Sequence, residues 1–353
     1  MFNFYLTYRW LQWGPPKRPM HALPGGIGRF FVDTPSGKIE VLYGNPKGSA
    51  TTRGNKSPLF FVHGGMGGAW VWLEYLQYFS ARGIPCYAVS MRGHGDSWCP
   101  SFLRLTYGTT KRMLASDVVA GIRWAQAREG GKEVVLAAHS SGGGLSQFIL
   151  SEKDVKVKGL VLVAAVPGFG SVGVYMNWFA LDPVFTARML FHGWHPNSPL
   201  SHPALTRQTF FSKELSEAYV EEFQSRVSPY ESFLWIMGMG RPFVKPQTLL
   251  QQITSWGTGQ KLLVLCGGVD KLMTKPVMEK LATYYRLAFS TLVSQKKLEV
   301  EDSDVENMPG EGGQDTAGHG VRLVFVPGAG HHLQNDVTWE VGAGKLLAFY
   351  QQL

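Results

Sequence analysis

The sequence predicts an α/β protein built on a mostly parallel sheet with helices on both faces. Short apolar runs alternate with segments of helical periodicity in two parts of the chain, residues 27–166 and 257–353. Such runs are typical of strands that are buried on both faces of a parallel sheet. One run leads directly into a turn of small residues, and the intervening residues 167–256 have a different composition.

The first part of the chain contains strand and helix signals in alternation. The runs at 27–33 and 38–43 alternate between apolar and polar residues, and the turn Thr34-Pro35-Ser36-Gly37 between them predicts a hairpin. Short apolar runs then predict strands at 58–62, 86–90, 133–138 and 157–166. Helices are predicted from residue 69 to near 83, over 111–127 and from Leu145 onward.

Residues 167–256 interrupt this alternation and carry no strand signal. They are rich in aromatic residues and methionine, and they predict several short helices. A concentration of aromatic residues is more often plain core than a ligand pocket. This segment, however, follows a strand of the sheet, where an insertion would cover the turn at the end of the neighbouring strand. We therefore interpret it as a helical lid.

The second part of the chain returns to the alternating pattern. Apolar runs predict strands at 261–266 and 321–326, and helices are predicted after Thr274 and over 337–351. Residues 296–320 are polar and mostly acidic, a composition typical of a flexible loop. The predicted organisation is an arm (1–26), a core (27–166 and 257–353) that includes the acidic loop (296–320), and a helical insertion (167–256).

Charge and composition limit the classes of function. The net charge of +8 is spread along the 353 residues without a basic tract, so nucleic acid is not an expected partner. The chain has three cysteines, and Cys86 and Cys266 lie in strand-like runs, which favours a reducing compartment over a disulfide framework. With no signal peptide and no run of about 18 apolar residues, we expect a cytoplasmic protein.

The start of the chain is dense in aromatic residues. Residues 1–14 read MFNFYLTYRWLQWG, with one arginine in the middle. The favoured interpretation is an arm that packs on the rest of the protein. Weak contact with a membrane surface is the alternative, because Trp and Tyr are favoured at the membrane interface.

A turn of small residues follows the predicted strand 133–138. Its sequence is Ala138-His139-Ser140-Ser141-Gly142, and a serine between strand and helix in such a turn is held in a strained conformation with its Oγ exposed. The residues two before and two after that serine must be small, because the turn brings strand and helix together. Ser140 meets this condition, whereas Ser141 would place His139 at one of these positions. Ser140 is therefore the predicted nucleophile, and a plain Gly/Ser loop is the alternative.

A serine hydroxyl becomes a good nucleophile only with a base, a carboxylate that orients the base, and N–H donors for the oxyanion. These groups are expected at the carboxyl ends of parallel strands. Asp270 follows strand 261–266 and His331 follows strand 321–326, each in a glycine turn. They are the predicted acid and base. The predicted oxyanion donors are the backbone N–H groups of Gly65 and Ser141, the second at a helix N-terminus that favours negative charge.

The other histidines near these turns have simpler interpretations. His63 is expected to pack beneath the glycine-rich loop that follows strand 58–62, and His94 and His139 are expected to stabilise turns. His332 is an alternative base, but His331 directly follows the glycine turn. The predicted chemistry uses no cofactor and no metal.

These motifs together resemble the serine-triad branch of the α/β-hydrolase fold superfamily. The resemblance covers residues 31–166 and 260–353 and rests on His63-Gly64-Gly65, Arg92-Gly93-His94-Gly95-Asp96-Ser97, His139-Ser140-Ser141-Gly142-Gly143, Gly267-Gly268-Val269-Asp270 and Gly328-Ala329-Gly330-His331. It implies an eight-stranded sheet, a cap domain at the insertion, and Ser140, His331 and Asp270 as nucleophile, base and acid. Ala138 in place of glycine, and Ser90 where many members have aspartate, depart from the family pattern.

Comparison with individual branches of the superfamily argues against some of them. Epoxide hydrolases and haloalkane dehalogenases need a carboxylate nucleophile, and the predicted nucleophile here is a serine. The segment 63–72 resembles plant methyl esterases and hydroxynitrile lyases, but the lyases have a lysine where this chain has His332. That difference argues against the lyase reaction.

The expected function is hydrolysis of an ester or lactone of an apolar small molecule through an acyl-enzyme. The apolar substrate is inferred only from the aromatic and methionine content of the insertion. A carbon–carbon bond hydrolase and an acyltransferase would use the same triad and stay open as alternatives. A ligand-binding protein that keeps the fold without turnover is the alternative from a different class.

Overall fold

The computed structural model describes residues 4–46, 56–257, 260–300 and 320–353. In these residues it contains a sheet of eight strands in the order β1-β2-β4-β3-β5-β6-β7-β8. The strands are β1 (Ile27–Thr34), β2 (Gly37–Gly44), β3 (Leu59–Val62), β4 (Cys86–Val89), β5 (Val135–His139), β6 (Gly159–Val163), β7 (Leu262–Gly267) and β8 (Val321–Val326). β2 pairs antiparallel with β1 and β4, and the remaining neighbours pair in parallel. The predicted fold class is confirmed.

Twelve α-helices accompany the described strands. They are α1 (Leu73–Ser80), α2 (Phe102–Gly108), α3 (Lys111–Arg128), α4 (Ser140–Ser151), α5 (Val172–Leu181), α6 (Phe185–Phe191), α7 (Pro203–Phe210), α8 (Glu217–Arg226), α9 (Phe233–Met237), α10 (Pro246–Leu250), α11 (Lys275–Ser294) and α12 (Trp339–Tyr350). Helices α5 to α10 lie between β6 and β7, in the segment for which several short helices were predicted. In the described part of the chain, every helix is too short or too polar to cross a membrane.

The central strands are buried because helices cover both faces of the sheet. Every residue of β3, β4, β5, β6 and β7 is buried, which explains their unbroken apolar sequences. The predicted hairpin is present, with Thr34 paired to Gly37 at its turn. Cys86, Cys99 and Cys266 are free thiols.

Several element boundaries differ from the predictions. α4 begins at Ser140 instead of Leu145, because the glycines that look like a loop are packed as the first turns of the helix. β6 ends at Val163, short of the predicted 166, because Ala164 takes a left-handed φ of 42° that ends the strand. The predicted helix from residue 69 begins as a 3-10 turn, Ala69–Trp72, before α1.

Helix α2 was not predicted. It has seven residues and exposes Leu103 and Tyr107, so its sequence carries no amphipathic stripe. The ring of Phe102 at its start contacts the rings of Tyr230 and Trp13. The predicted acidic loop (296–320) lies mainly outside the described residues.

Residues 4–13 of the arm lie on the insertion, whereas Arg18 and His21 contact Asp96 of the core. The Tyr8 hydroxyl donates a hydrogen bond to the Phe191 carbonyl (2.7 Å), and Arg188 Nε donates to the Tyr5 carbonyl (3.0 Å). His195 Nε2 is 2.8 Å from the Gln12 carbonyl. Several apolar side chains of the arm and of the insertion beside it remain exposed, including Phe4, Leu6, Tyr8, Trp13, Leu190, Phe191 and Trp194.

Candidate active site

The turn between β5 and α4 holds Ser140 in a strained conformation. Its φ is 52°, in the left-handed region that non-glycine residues rarely adopt, and such strain is typical of functional sites. The tight turn requires glycines after Ser140, because a Cβ on Gly142 would lie 2.0 Å from the His63 carbonyl oxygen. A Cβ on Gly143 would lie 2.4 Å from the Cβ of Ala165. Ser140 therefore occupies the apex of the turn, as the sequence predicts.

Ser140, His331 and Asp270 form one chain of hydrogen bonds. His331 Nε2 is 2.9 Å from Ser140 Oγ, and His331 Nδ1 is 2.9 Å from Asp270 Oδ2. Since the Asp270 oxygen can only accept from an imidazole N–H, Nδ1 carries a proton and Nε2 is free to accept the serine proton. The three residues follow β5, β7 and β8, so they meet at the carboxyl edge of the sheet.

Backbone donors hold the Asp270 carboxylate in place. Its Oδ1 accepts hydrogen bonds from the N–H groups of Leu272 (2.8 Å) and Met273 (2.9 Å). Asp270 and His331 are both buried. These bonds leave Oδ2 directed at the imidazole, which fixes the ring orientation and stabilises an imidazolium form.

The two residues that supply the predicted oxyanion donors contact each other, and one of the two N–H groups already has an acceptor. The Gly65 N–H donates to the hydroxyl oxygen of Ser141 at 2.7 Å. The Ser141 backbone N–H lies in the first turn of α4, where N–H groups have no partner within the helix. An oxyanion that binds to Gly65 must therefore replace the Ser141 hydroxyl as acceptor.

The sequence model of the alpha/beta hydrolase family matches residues 59–338, more than half of the chain. The chain belongs to this family. Solved structures of the same fold include an esterase from Exiguobacterium antarcticum, 17% identical over 91% of this chain and 98% of that one, with a TM-score of 0.59. A carboxylesterase from Bacillus subtilis is 17% identical over 92% of each chain, with a TM-score of 0.55.

A third structural relative of this alpha/beta hydrolase is E-2-(acetamidomethylene)succinate hydrolase. It is 17% identical over 92% of this chain and 99% of that one, with a TM-score of 0.52. At such identities the structural likeness establishes the fold alone. Family membership supports an enzyme with hydrolase activity and leaves the substrate and the nucleophile to the geometry of the site.

The alternative base of this hydrolase, His332, points away from Ser140. Its ring packs on Phe210 and Phe223, with ring centroids 4.7 and 4.9 Å away, and its Nδ1 lies 3.3 Å from Asn335 Oδ1. Burial, together with the neighbouring His331, lowers the pKa of His332 to about 3. His332 is therefore a neutral core residue, and the serine contact belongs to His331.

Two further histidines, His63 and His139, hold backbone segments of the site in place. His63 donates from Nδ1 to the Gly64 carbonyl (2.6 Å) and accepts the Met91 N–H at Nε2 (3.2 Å), which ties the glycine-rich loop to β4 and matches its predicted structural role. His139 Nε2 is 3.0 Å from the carbonyl of His331 and holds the backbone of that residue. Burial lowers the pKa of both imidazoles well below the usual value.

Sequence reasoning missed one residue at the site, Glu231 of the insertion. Its carboxylate is fully buried and accepts the backbone N–H of Met66 at 2.7 Å. The same carboxylate oxygen lies 2.9 Å from His94 Nε2. A fully buried glutamate is rare unless it is paired. The sequence does show an acidic residue within an aromatic segment, which is a signal for a buried, paired carboxylate. No motif, however, connects Glu231 with His94.

The space in front of Ser140 is small and mostly apolar. It measures about 60 Å³. One water needs about 10–15 Å³ on this measure, so the space holds only a few waters. Its apolar lining comes mainly from the insertion and the loop after β7, namely Val174, Trp178, Phe210, Ile236, Leu272 and Met273. A larger surface cleft of about 640 Å³ lies between the arm and the insertion, and neither Ser140 nor His331 lines it.

Proposed function

We propose that this protein is a serine hydrolase that cleaves an ester or lactone of an apolar small molecule through an acyl-enzyme. The observation that carries the proposal is the unbroken hydrogen-bonded chain from Ser140 Oγ through His331 to Asp270, with both contacts at 2.9 Å. The left-handed φ of Ser140 supports it, because this residue lies at the apex of a closed turn between β5 and α4 with its Oγ against His331.

In the first half-reaction, Ser140 Oγ forms a bond to the substrate carbonyl carbon while its proton passes to His331 Nε2. Asp270 stabilises the resulting imidazolium. The carbonyl oxygen becomes an oxyanion that accepts hydrogen bonds from the N–H groups of Gly65 and Ser141, once the Ser141 hydroxyl has rotated away from Gly65. The intermediate then collapses, the bond to the leaving oxygen breaks, and His331 gives its proton to that oxygen.

In the second half-reaction, water replaces the leaving alcohol. His331 takes a proton from the water, whose oxygen attacks the acyl carbon, and the bond to Ser140 Oγ breaks as the imidazolium returns the proton to the serine. For a lactone, the alcohol and acid remain one molecule. In the net reaction, one water hydrolyses the single bond between the carbonyl carbon and the ester oxygen, and the enzyme is regenerated.

The lining of the cavity supports an apolar substrate. The insertion contributes apolar side chains directly in front of Ser140, and Phe210 also packs on the His331 ring at a centroid distance of 5.7 Å. A space of about 60 Å³ is too small for most esters, so we infer that the insertion acts as a cap that moves to admit substrate. An apolar acyl or alcohol group would then replace water against these side chains.

A fluorophosphonate probe tests the nucleophile. The probe should phosphonylate wild-type protein at Ser140, and the adduct should be absent from Ser140→Ala and present in Ser141→Ala. A panel of esters and lactones then identifies the acyl group, and added alcohols distinguish hydrolysis from acyl transfer by their products. An adduct at Ser141, or folded protein that reacts with neither the probe nor a small ester, would overturn the proposal in favour of a different nucleophile or a non-catalytic binding protein.

A further inference from the structure

One segment of the insertion is fastened to the loop that carries Gly65. We call residues 63–68 the oxyanion loop and residues 228–232 the docking segment. The Ser228 N–H donates to the Met66 carbonyl (2.9 Å), and the Ser228 hydroxyl donates to the Gly67 carbonyl (2.8 Å). In the opposite direction, the Met66 N–H donates to Glu231 Oε2 (2.7 Å). Both backbone polar groups of Met66 are therefore bound by the docking segment.

Met66 needs this support because its backbone is strained. Its φ is 64°, which is uncommon for a residue with a side chain. Such a conformation persists only where the surroundings determine it from more than one direction. Met66 directly follows Gly65, so the bond from the Met66 N–H to Glu231 fixes the peptide that joins them. The Gly65 N–H belongs to the preceding peptide, and its direction is restricted through the φ and ψ of Gly65 alone.

The hydrogen bonds at Glu231 require two accepting oxygens, which a carboxylate supplies. Oε2 faces two groups, the Met66 N–H and His94 Nε2, while Oε1 accepts the Ser232 N–H at 2.7 Å. His94 Nδ1 is 2.9 Å from the Arg92 carbonyl, which can only accept, so Nδ1 carries a proton. The contact between Nε2 and Glu231 then requires one further proton, shared between imidazole and carboxylate.

The shared proton makes this buried pair neutral overall. Burial alone would lower the pKa of His94, but the charge and hydrogen bond of Glu231 outweigh it and raise that pKa. Neutrality matters at this location, because a Cβ on Gly65 would lie only 3.6 Å from Glu231 Oε2. An uncompensated carboxylate there would oppose negative charge on a carbonyl oxygen bound at Gly65.

We propose that Glu231, paired with His94, is a positioning residue that orients the Gly65 N–H, so that seating of the docking segment assembles the oxyanion hole. The inference rests on the proposed function. It links closure of the insertion to completion of the site. When residues 228–232 separate from the oxyanion loop, Met66 loses its hydrogen bonds to Ser228 and Glu231, and the Gly65 N–H is no longer held in one direction.

The discriminating variant is Glu231→Gln, which preserves size and removes one acceptor. Whichever way the amide is turned, its NH₂ group meets either the Met66 N–H or the Ser232 N–H, so one donor loses its acceptor. The matched control is Glu74→Gln. Glu74 is a carboxylate that joins α1 to the insertion through the Tyr219 hydroxyl (2.9 Å), and its other side-chain hydrogen bond among the described residues comes from Asn335, outside the oxyanion loop.

The readout is the rate of fluorophosphonate labelling, resolved into kinact and KI, because the phosphonyl oxygen takes the place of the oxyanion. Loss of one oxyanion donor commonly costs on the order of 10²–10³ in rate, and misalignment should cost part of that. We expect kinact of Glu231→Gln to fall by about 10–100-fold with KI within about 3-fold of wild type, and Glu74→Gln to label at the wild-type rate. A role confined to stability would change Tm and the folded fraction but not kinact of the folded protein.

A second variant keeps the test decisive if Glu231→Gln does not fold. Ser228→Ala removes only the hydroxyl bond to Gly67, and we expect kinact to fall by about 3–10-fold. Wild-type labelling at Ser140 together with unchanged kinact in both folded variants, or in Ser228→Ala when it alone folds, would overturn this inference and leave the proposed function intact. Folded wild-type protein that fails to label would overturn both.

Discussion

A methyl group added at Gly142 should damage the site as well as the fold. Helix propensity alone predicts that Gly142→Ala stabilises α4 by about 1 kcal/mol. The structure predicts the opposite. The new Cβ would lie 2.0 Å from the His63 carbonyl oxygen, whereas real Cβ atoms essentially never come closer than 3.0 Å, so the backbone at His63 must move by at least about 1 Å.

This displacement sets the magnitude. Overpacking costs about 1–3 kcal/mol, and a clash with backbone belongs in the upper part of that range. After subtraction of the propensity gain of about 1 kcal/mol, we expect a net loss of about 1–2 kcal/mol in the free energy of unfolding. His63 begins the oxyanion loop, two residues before Gly65. A misplacement of about 1 Å at a reacting centre can cost about 10²-fold in rate, so kcat/KM should fall by about that factor.

Urea unfolding and steady-state kinetics on the best small ester from the panel measure the two effects. Gly173→Ala is the matched control, because Gly173 lies in α5 and a Cβ there has no neighbour within 4 Å. It should retain activity and lose no stability. If Gly142→Ala is as stable and as active as Gly173→Ala, the packing argument for the turn is wrong.

Three further predictions test other parts of the molecule. Asp270→Asn should keep the bonds from Leu272 and Met273 but turn an NH₂ group toward His331, which favours the wrong tautomer, so kcat should fall by about 10³–10⁴ with little change in KM. His332 has a folded pKa of about 3, below its unfolded value of about 6.5, so its contribution to stability is present above pH 6.5 and is lost as pH falls toward 3. Urea unfolding should therefore show about 2 kcal/mol less stability from this group at pH 5 than at pH 7, and His332→Phe should reduce the total pH dependence by about that amount, because His63 and His139 keep their own lowered pKa values. We also propose weak membrane contact through the exposed aromatic side chains of the arm and of the insertion beside it. Removal of residues 1–20 should then weaken co-sedimentation with anionic lipid vesicles, and unchanged binding would exclude the arm.

Local sequence signals were sufficient to predict the sheet and the residues at the carboxyl ends of its strands. The apolar runs of β3 to β8 reflect burial on both faces, and the turns after β5, β7 and β8 are marked by small residues because backbones approach closely there. The hydrogen-bonded chain from Ser140 to Asp270 joins residues that were singled out from these turns alone. Their catalytic roles stay predictions until the nucleophile is labelled.

The remaining features depend on contacts that no local pattern encodes. Glu231 is 137 positions from His94, and only the folded insertion brings them together. The bond between the Gly65 N–H and the Ser141 hydroxyl likewise joins two turns that are 76 positions apart. The early start of α4 was missed because a run of glycines opposes a helix by propensity, while packing against neighbouring backbone requires those glycines.

The order of the chain gives the triad a consequence for biosynthesis. Ser140 and His331 are 191 positions apart, and His331 follows β8, which is one of the two edge strands of the described sheet and the last of its strands to be synthesised. A nascent chain can complete the turn at Ser140 while its base is still unmade. Under the proposed mechanism, Ser140 becomes nucleophilic only when β8 has docked and brought His331 beside it, and the growing polypeptide carries an inert serine until then.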